Sequence, residues 1–115
     1  MTEARVDVIT KDDVVRIVLA GEIDMANAVE VEDQICEVIT NQVTEASIDL
    51  TEVTYLDSAG LRVLFGLAER LPTLQIALEL VAPVESPSRR VLELSGLAAV
   101  VPVVPVVPED DAAGR

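Results

Sequence analysis

The apolar residues of this chain repeat first every second position, then at helical spacing, and the two periods go on alternating; that limits the fold more than any other feature. Val6 and Val8, then Val15, Ile17 and Leu19, alternate on either side of Lys11-Asp12-Asp13. This is the pattern of an antiparallel hairpin whose second strand closes at Gly21. From Asn27 the period changes: Ala28, Val31, Ile35, Val38 and Ile39 share one helical face, and Glu30, Glu32, Asp33 and Glu37 lie mostly off it. Asn27 with Glu30 reads as a variant capping box. Ser47-Ile48-Asp49-Leu50 reads as a short buried strand, and Leu61, Leu64, Phe65, Ala68 and Leu71 as a second helix that Pro72 stops. Leu74, Ile76, Leu78 and Leu80 then alternate as a strand with one buried face. Ser86-Pro87 opens a third helix with a capping serine and a proline at its first position, and Gly96 ends it after Val91, Leu92 and Leu94.

This order of elements predicts an α/β fold, with right-handed crossovers onto a largely parallel sheet and the first hairpin strand antiparallel. From Val100 to Pro108 valine pairs alternate with prolines, which favours an extended backbone and allows at most one edge strand. At 115 residues the chain is long enough for one core and too short for two. Residues 1–108 read as a single domain and 109–115 as an acidic flexible tail.

Absences narrow the chemistry. With no histidine and one cysteine, Cys36, histidine-based acid/base catalysis, serine-histidine-acid triads, Cys/His zinc sites and a disulfide framework are excluded. Cys36, on or beside the apolar face of the first helix, reads as a small buried hydrophobe rather than a redox sensor. No signal segment opens the chain, so a cytoplasmic location is expected. Twenty-one acidic residues against eight basic ones give a formal charge of −13, which repels nucleic-acid phosphates and anionic lipid. A partner surface should be neutral or basic. Leu97 to Val107, the longest apolar stretch, is broken by Pro102 and Pro105 and is shorter than the roughly 20 residues of a membrane helix.

The stretch from Thr51 to Leu61, T-E-V-T-Y-L-D-S-A-G-L, carries most of the functional information. After a strand and a short loop, Asp57 falls where a helix N-cap belongs, which puts Ser58 in the first turn. Backbone N–H groups and the positive end of the helix dipole meet there, a place that tolerates an oxyanion. An Asp-Ser pair before a helix is more often only a cap. Gly21-Glu22-Ile23-Asp24 and the pattern Asp-Leu-Thr-x-Val-x-x-Leu-Asp-Ser-Ala-Gly-Leu from Asp49 to Leu61 add weight.

Together these resemble the STAS domain of bacterial anti-sigma-factor antagonists, over about Val6 to Val104. In that family the serine of D-S-x-G is phosphorylated, and the matching residue is Ser58. The resemblance implies a partner switch: the unmodified protein binds an anti-sigma factor that is also a serine kinase, the kinase phosphorylates it with Mg-ATP, and a serine phosphatase resets it. The protein would be a ligand and substrate, not an enzyme, with no cofactor of its own. Asp24, Asp57, Ser58, Ala59, Gly60 and Arg62 are the expected partner-binding residues. For Asp24 and Asp57 a turn or cap role is the alternative. Arg62 and Arg70 could meet the partner, though solvated helix residues are the commoner case, and Tyr55 and Phe65 read as loop and core packing. Gly60 matters if a side chain there holds another protein's backbone away. The Val-Pro segment stands where the family often has a further helix, so contiguous exposed valines there would favour self-association or a partner on that edge.

A receiver domain is rejected because it needs a lysine after the fifth strand, and Lys11 is the only lysine. A nucleotide-binding role has no phosphate loop. A STAS subunit of a transporter ATPase complex, or part of a stress-signalling scaffold, is the alternative that keeps the fold.

Overall fold

The computed structural model describes residues 3–106. Five strands and three helices follow one another as β1 (Ala4–Lys11), β2 (Val14–Ile23), α1 (Ala28–Val38), β3 (Glu45–Leu56), α2 (Ser58–Thr73), β4 (Ala77–Val81), α3 (Pro87–Ser95) and β5 (Val103–Val104), with a 3₁₀ turn at Leu97–Ala99. The strands lie side by side in chain order, β1 antiparallel to β2 and the rest parallel. This is the mixed α/β sheet expected from the periods.

Register places the core. Val15, Ala46 and Leu78 form one row across β2, β3 and β4, and Ile17, Ile48 and Leu80 the next. These rows join Val31 and Ile35 of α1, Leu64, Leu67 and Leu71 of α2, and Leu92 of α3 in one apolar cluster. The rows of the other face carry Arg16, Ser47 and Glu79, then Val18, Asp49 and Val81.

Several local expectations are corrected. β2 continues past Gly21 to Ile23. Gly21 takes φ 93°, and a Cβ there would collide with the Glu3 carbonyl, whose oxygen accepts from Glu22 N–H at 2.9 Å. Asn27 makes no capping box: its Oδ1 accepts from Asp24 N–H (3.1 Å) and its Nδ2 donates to the Glu22 carbonyl (2.9 Å), so the side chain reaches backward into the turn. β3 is twelve residues long rather than four and runs directly to Asp57 with no intervening loop. On α2 the inward face is Gly60, Val63, Leu64, Leu67 and Leu71, and Phe65 is exposed. Pro72 lies inside the last turn, and the chain leaves α2 through Gln75 at φ 63°. Leu74 stays exposed and Ile76 precedes β4.

The third helix follows its signals. Ser86 accepts from Arg89 N–H at 3.1 Å, Pro87 stands at the first position, and Gly96 ends the helix in the left-handed region at φ 90°. In the Val-Pro segment β5 is a two-residue edge strand parallel to β4. Val100 and Val106 are exposed, Val101 is buried and Val103 packs on the core. The acidic tail, 109–115, lies outside the described residues, as does the end of the segment that precedes it. Among the described residues no helix is long and apolar enough to cross a membrane.

Candidate functional site

Two irregularities in the β2–β3 ladder shape the end of the sheet that carries the motif. Val18 pairs with Asp49 but Ala20 with Glu52, and Gly21 pairs with Val53 but Glu22 with Tyr55, so β3 carries extra residues twice. The first bulge is held by Asp49, whose Oδ1 accepts from Thr51 N–H at 2.9 Å, and by Ser88 of α3, whose hydroxyl donates to the Leu50 and Val53 carbonyls at 3.4 and 3.5 Å. Thr54 Oγ1 donates to the Gly21 carbonyl at 3.3 Å across the second. Beyond the bulges Ile23 and Leu56 are in register, so Asp24 and Asp57 step off adjacent parallel strands at the same end.

Asp57 caps α2 as its position predicts. Its Oδ1 accepts from Ala59 N–H (2.8 Å) and Gly60 N–H (3.3 Å), its carbonyl accepts from Leu61 N–H (2.9 Å), and its own N–H donates to the Ile23 carbonyl (3.2 Å). The cap therefore uses two of the donors that the oxyanion reading left open. An anion at this helix end meets a carboxylate already seated there. Asp24 is built into its turn in the same way: Oδ1 accepts from Ala26 N–H at 2.9 Å, and its carbonyl accepts from Asn27 and Ala28 N–H at 3.1 and 2.8 Å.

Ser58 is the first residue of α2 and is exposed. Ala59 is half-buried, and Arg62 is exposed one helical turn beyond Ser58, on the same side of the helix. Gly60 is buried, and a Cβ built on it meets Leu56 Cδ1 at 2.5 Å, Ile23 Cγ2 at 3.0 Å and the Ile23 carbonyl oxygen at 3.3 Å. Its small size is required by the chain's own packing, where the sequence suggested an outside backbone. Tyr55 is exposed rather than packed in a loop. Arg70 turns toward α1, where its Nη2 donates to the half-buried Cys36 Sγ at 3.0 Å.

Ser88 helps position this end of the sheet without standing out in the sequence, and Asn27 does so through bonds other than the cap its type suggested. The signal in both is a backbone partner, which no spacing rule encodes. Met25 and Val29, 81% and 69% exposed, add apolar surface next to Asp24 along the chain. Among the described residues no cluster of three or more cysteine or acidic side chains could hold a metal ion.

Comparison with known proteins places these features. A model of the STAS domain matches residues 5–109. The anti-sigma-F factor antagonist RsfB of Mycobacterium tuberculosis is 38% identical over 53 residues, 46% of this chain and 43% of RsfB, so the match spans less than half of that protein. An anti-sigma factor antagonist from Mycobacterium paratuberculosis, known from its crystal structure, is 31% identical with a TM-score of 0.82, covering 97% of this chain and 92% of that one. The Bacillus cell fate determinant SpoIIAA in its phosphorylated form shares the fold, with a TM-score of 0.69 and 24% identity over 96% of this chain and 98% of its own.

Proposed function

The chain belongs to the STAS domain family, and from that premise we propose that it is an anti-sigma-factor antagonist whose binding is switched off by phosphorylation of Ser58. The observation that carries the reading is the placement of Ser58: exposed, at the head of α2, on a cap fixed by Asp57 and beside the strand end that presents Asp24. The names of the mycobacterial relatives support the antagonist role.

The anti-sigma factor docks on this end of the sheet, with Ser58, Ala59, Arg62 and the Asp24 turn at the contact and Met25 and Val29 as apolar anchors. Gly60 and Asp57 act by holding that surface in shape. The partner is also the serine kinase and brings Mg-ATP, and a phosphatase restores the free hydroxyl. This chain is ligand and substrate, not catalyst.

The switch follows from electrostatics. A phosphate on Ser58 adds about −1.5 to −2 charges at pH 7. Because Asp57 already occupies the Ala59 and Gly60 N–H groups, the helix end has little left to absorb that charge. It stays outward, beside the Asp57 carboxylate and within a turn of Arg62. The fold is kept and the docking surface becomes more negative and bulkier.

The test is a paired capture from lysate of the source cell with wild type, Ser58→Ala and Ser58→Glu as baits, read by mass spectrometry. An ATP-binding anti-sigma factor retained by wild type and the alanine form but lost by the glutamate form is expected, with unchanged circular dichroism. Equal capture by all three removes Ser58 from the mechanism. A transporter ATPase or scaffold protein held equally by all three moves the function to that class.

A further inference from the structure

The two edges of the sheet are unlike. β5 is two residues long and bracketed by Pro102 and Pro105, which leaves little backbone for another strand. β1 pairs with β2 over eight residues without a register shift, contains no proline, and has Val8 and Ile9 at 39% and 52% exposure. Along its outer side the N–H and C=O groups of alternate residues point away from β2. Arg5, Asp7 and Lys11 give β1 both signs of charge, and Asp12 and Asp13 follow in the turn, on a chain of net charge −13. Two copies can therefore meet here with opposite charges facing one another only in particular registers.

We propose that β1 is a self-association edge, through which two copies pair antiparallel about a two-fold axis at Ile9 and join their sheets. Charge selects this register. Asp7, Ile9 and Lys11 share one face of the strand. An axis at Ile9 sets the two Ile9 side chains together and each Asp7 opposite the other copy's Lys11, and it brings each Arg5 to the other's Asp12-Asp13 turn. An axis at Val8 opposes Arg5 to Lys11, one at Asp7 stacks two carboxylates against the gain of two Glu3–Lys11 pairs, and one at Thr10 brings Asp7 to Asp13, whereas the Ile9 axis opposes unlike charges throughout. An axis at Val6 pairs Arg5 with Asp7 but sets Glu3 against Ile9 and shortens the ladder. The existing Arg5–Asp7 ion pair (3.3 Å) is exposed, so exchanging it costs little.

A single strand pairing of eight residues is a small contact, and a dissociation constant between about 1 μM and 1 mM is the expectation to test. Ile9 lies toward the hairpin turn, and the Asp24–Ser58 end is at the far end of β2. Pairing and the proposed switch therefore use different surfaces, and either can fail without the other.

Sedimentation equilibrium on the full chain tests this. Wild type is expected to dimerise in that range. Lys11→Asp and Asp7→Lys each weaken it at least tenfold, and Asp7→Lys/Lys11→Asp restores it. Asp7→Lys lowers the net negative charge, so a general charge effect predicts the opposite for that variant. In a Cys36→Ser background, Ile9→Cys should oxidise to a covalent dimer faster than Thr10→Cys. A chain still monomeric at about 1 mM, or a dimer indifferent to the charge swap, overturns the proposal.

Discussion

Gly60 and Gly66 lie six residues apart on α2 and should respond oppositely to the same methyl group. In a helix, Ala is favoured over Gly by about 1 kcal/mol. At Gly66 nothing lies within 4 Å of the added Cβ, so Gly66→Ala should realise most of that gain. At Gly60 the Cβ meets Leu56 Cδ1 at 2.5 Å, Ile23 Cγ2 at 3.0 Å and the Ile23 carbonyl oxygen at 3.3 Å. Overpacking of this kind costs about 1–3 kcal/mol. Leu56 Cδ1 is the end of a flexible side chain and borders a void of about 10 Å³ lined also by Ile23, Val63 and Leu64, so it can yield. The Ile23 carbonyl cannot move freely, because it receives the Asp57 N–H at 3.2 Å. With about 2 kcal/mol of strain against the helix gain, Gly60→Ala should lose about 1 kcal/mol. The two variants then differ by about 2 kcal/mol, on the order of 10 °C in Tm for a domain of this size. Urea denaturation followed by circular dichroism measures the gap through the midpoints, provided the slope is unchanged. If both variants are stabilised equally, the close approach of β2, β3 and the head of α2 does not exist as described.

Other outcomes follow from single contacts. Asp57→Ala should cost about 0.5–2 kcal/mol while Asp57→Asn, which keeps an acceptor, costs less; thermal melts of the pair decide it. Arg89 donates from Nε and Nη2 to the Ala82 carbonyl at 3.1 and 2.8 Å, so Arg89→Ala should cost about 1.5–3 kcal/mol. Its 3.7 Å pair with Glu93 is largely solvated on the glutamate side, and Glu93→Ala should change urea stability by less than about 0.5 kcal/mol. Leu67→Ala, at a fully packed position of α2, should cost about 2–5 kcal/mol in the same assay.

What the sequence makes legible is whatever repeats or caps. The hairpin, the three helices, the Asp57 and Ser86 caps and the lone edge strand near the end all follow from period and from residues with fixed conformational roles. β3 was not legible past Leu50 because the bulges break its alternation: Val53 and Leu56 face inward with two exposed residues before each. The face of α2 was ambiguous for a different reason. Leu61, Val63, Leu64, Phe65, Leu67, Ala68 and Leu71 spread apolar side chains over more than half of the helix circumference, so the period fits more than one rotation. Gly60 decides it, since it lets the helix head sit against Ile23, and a glycine announces no direction. The Asp24 turn was hidden because Asn27, a good cap by type, bonds backward instead.

The arrangement of strands in chain order also bears on how the molecule comes into being. Each new strand adds to the outside of the sheet already formed: β2 on β1, β3 on β2, β4 on β3, β5 on β4. No strand has to be inserted between two that have paired, and each strand pairing closes a loop no longer than one helix and its connections, which keeps the entropy of closure low. A chain emerging from the ribosome can thus be completed by accretion from its first hairpin outward, and the Val103–Val104 strand is the last piece to arrive.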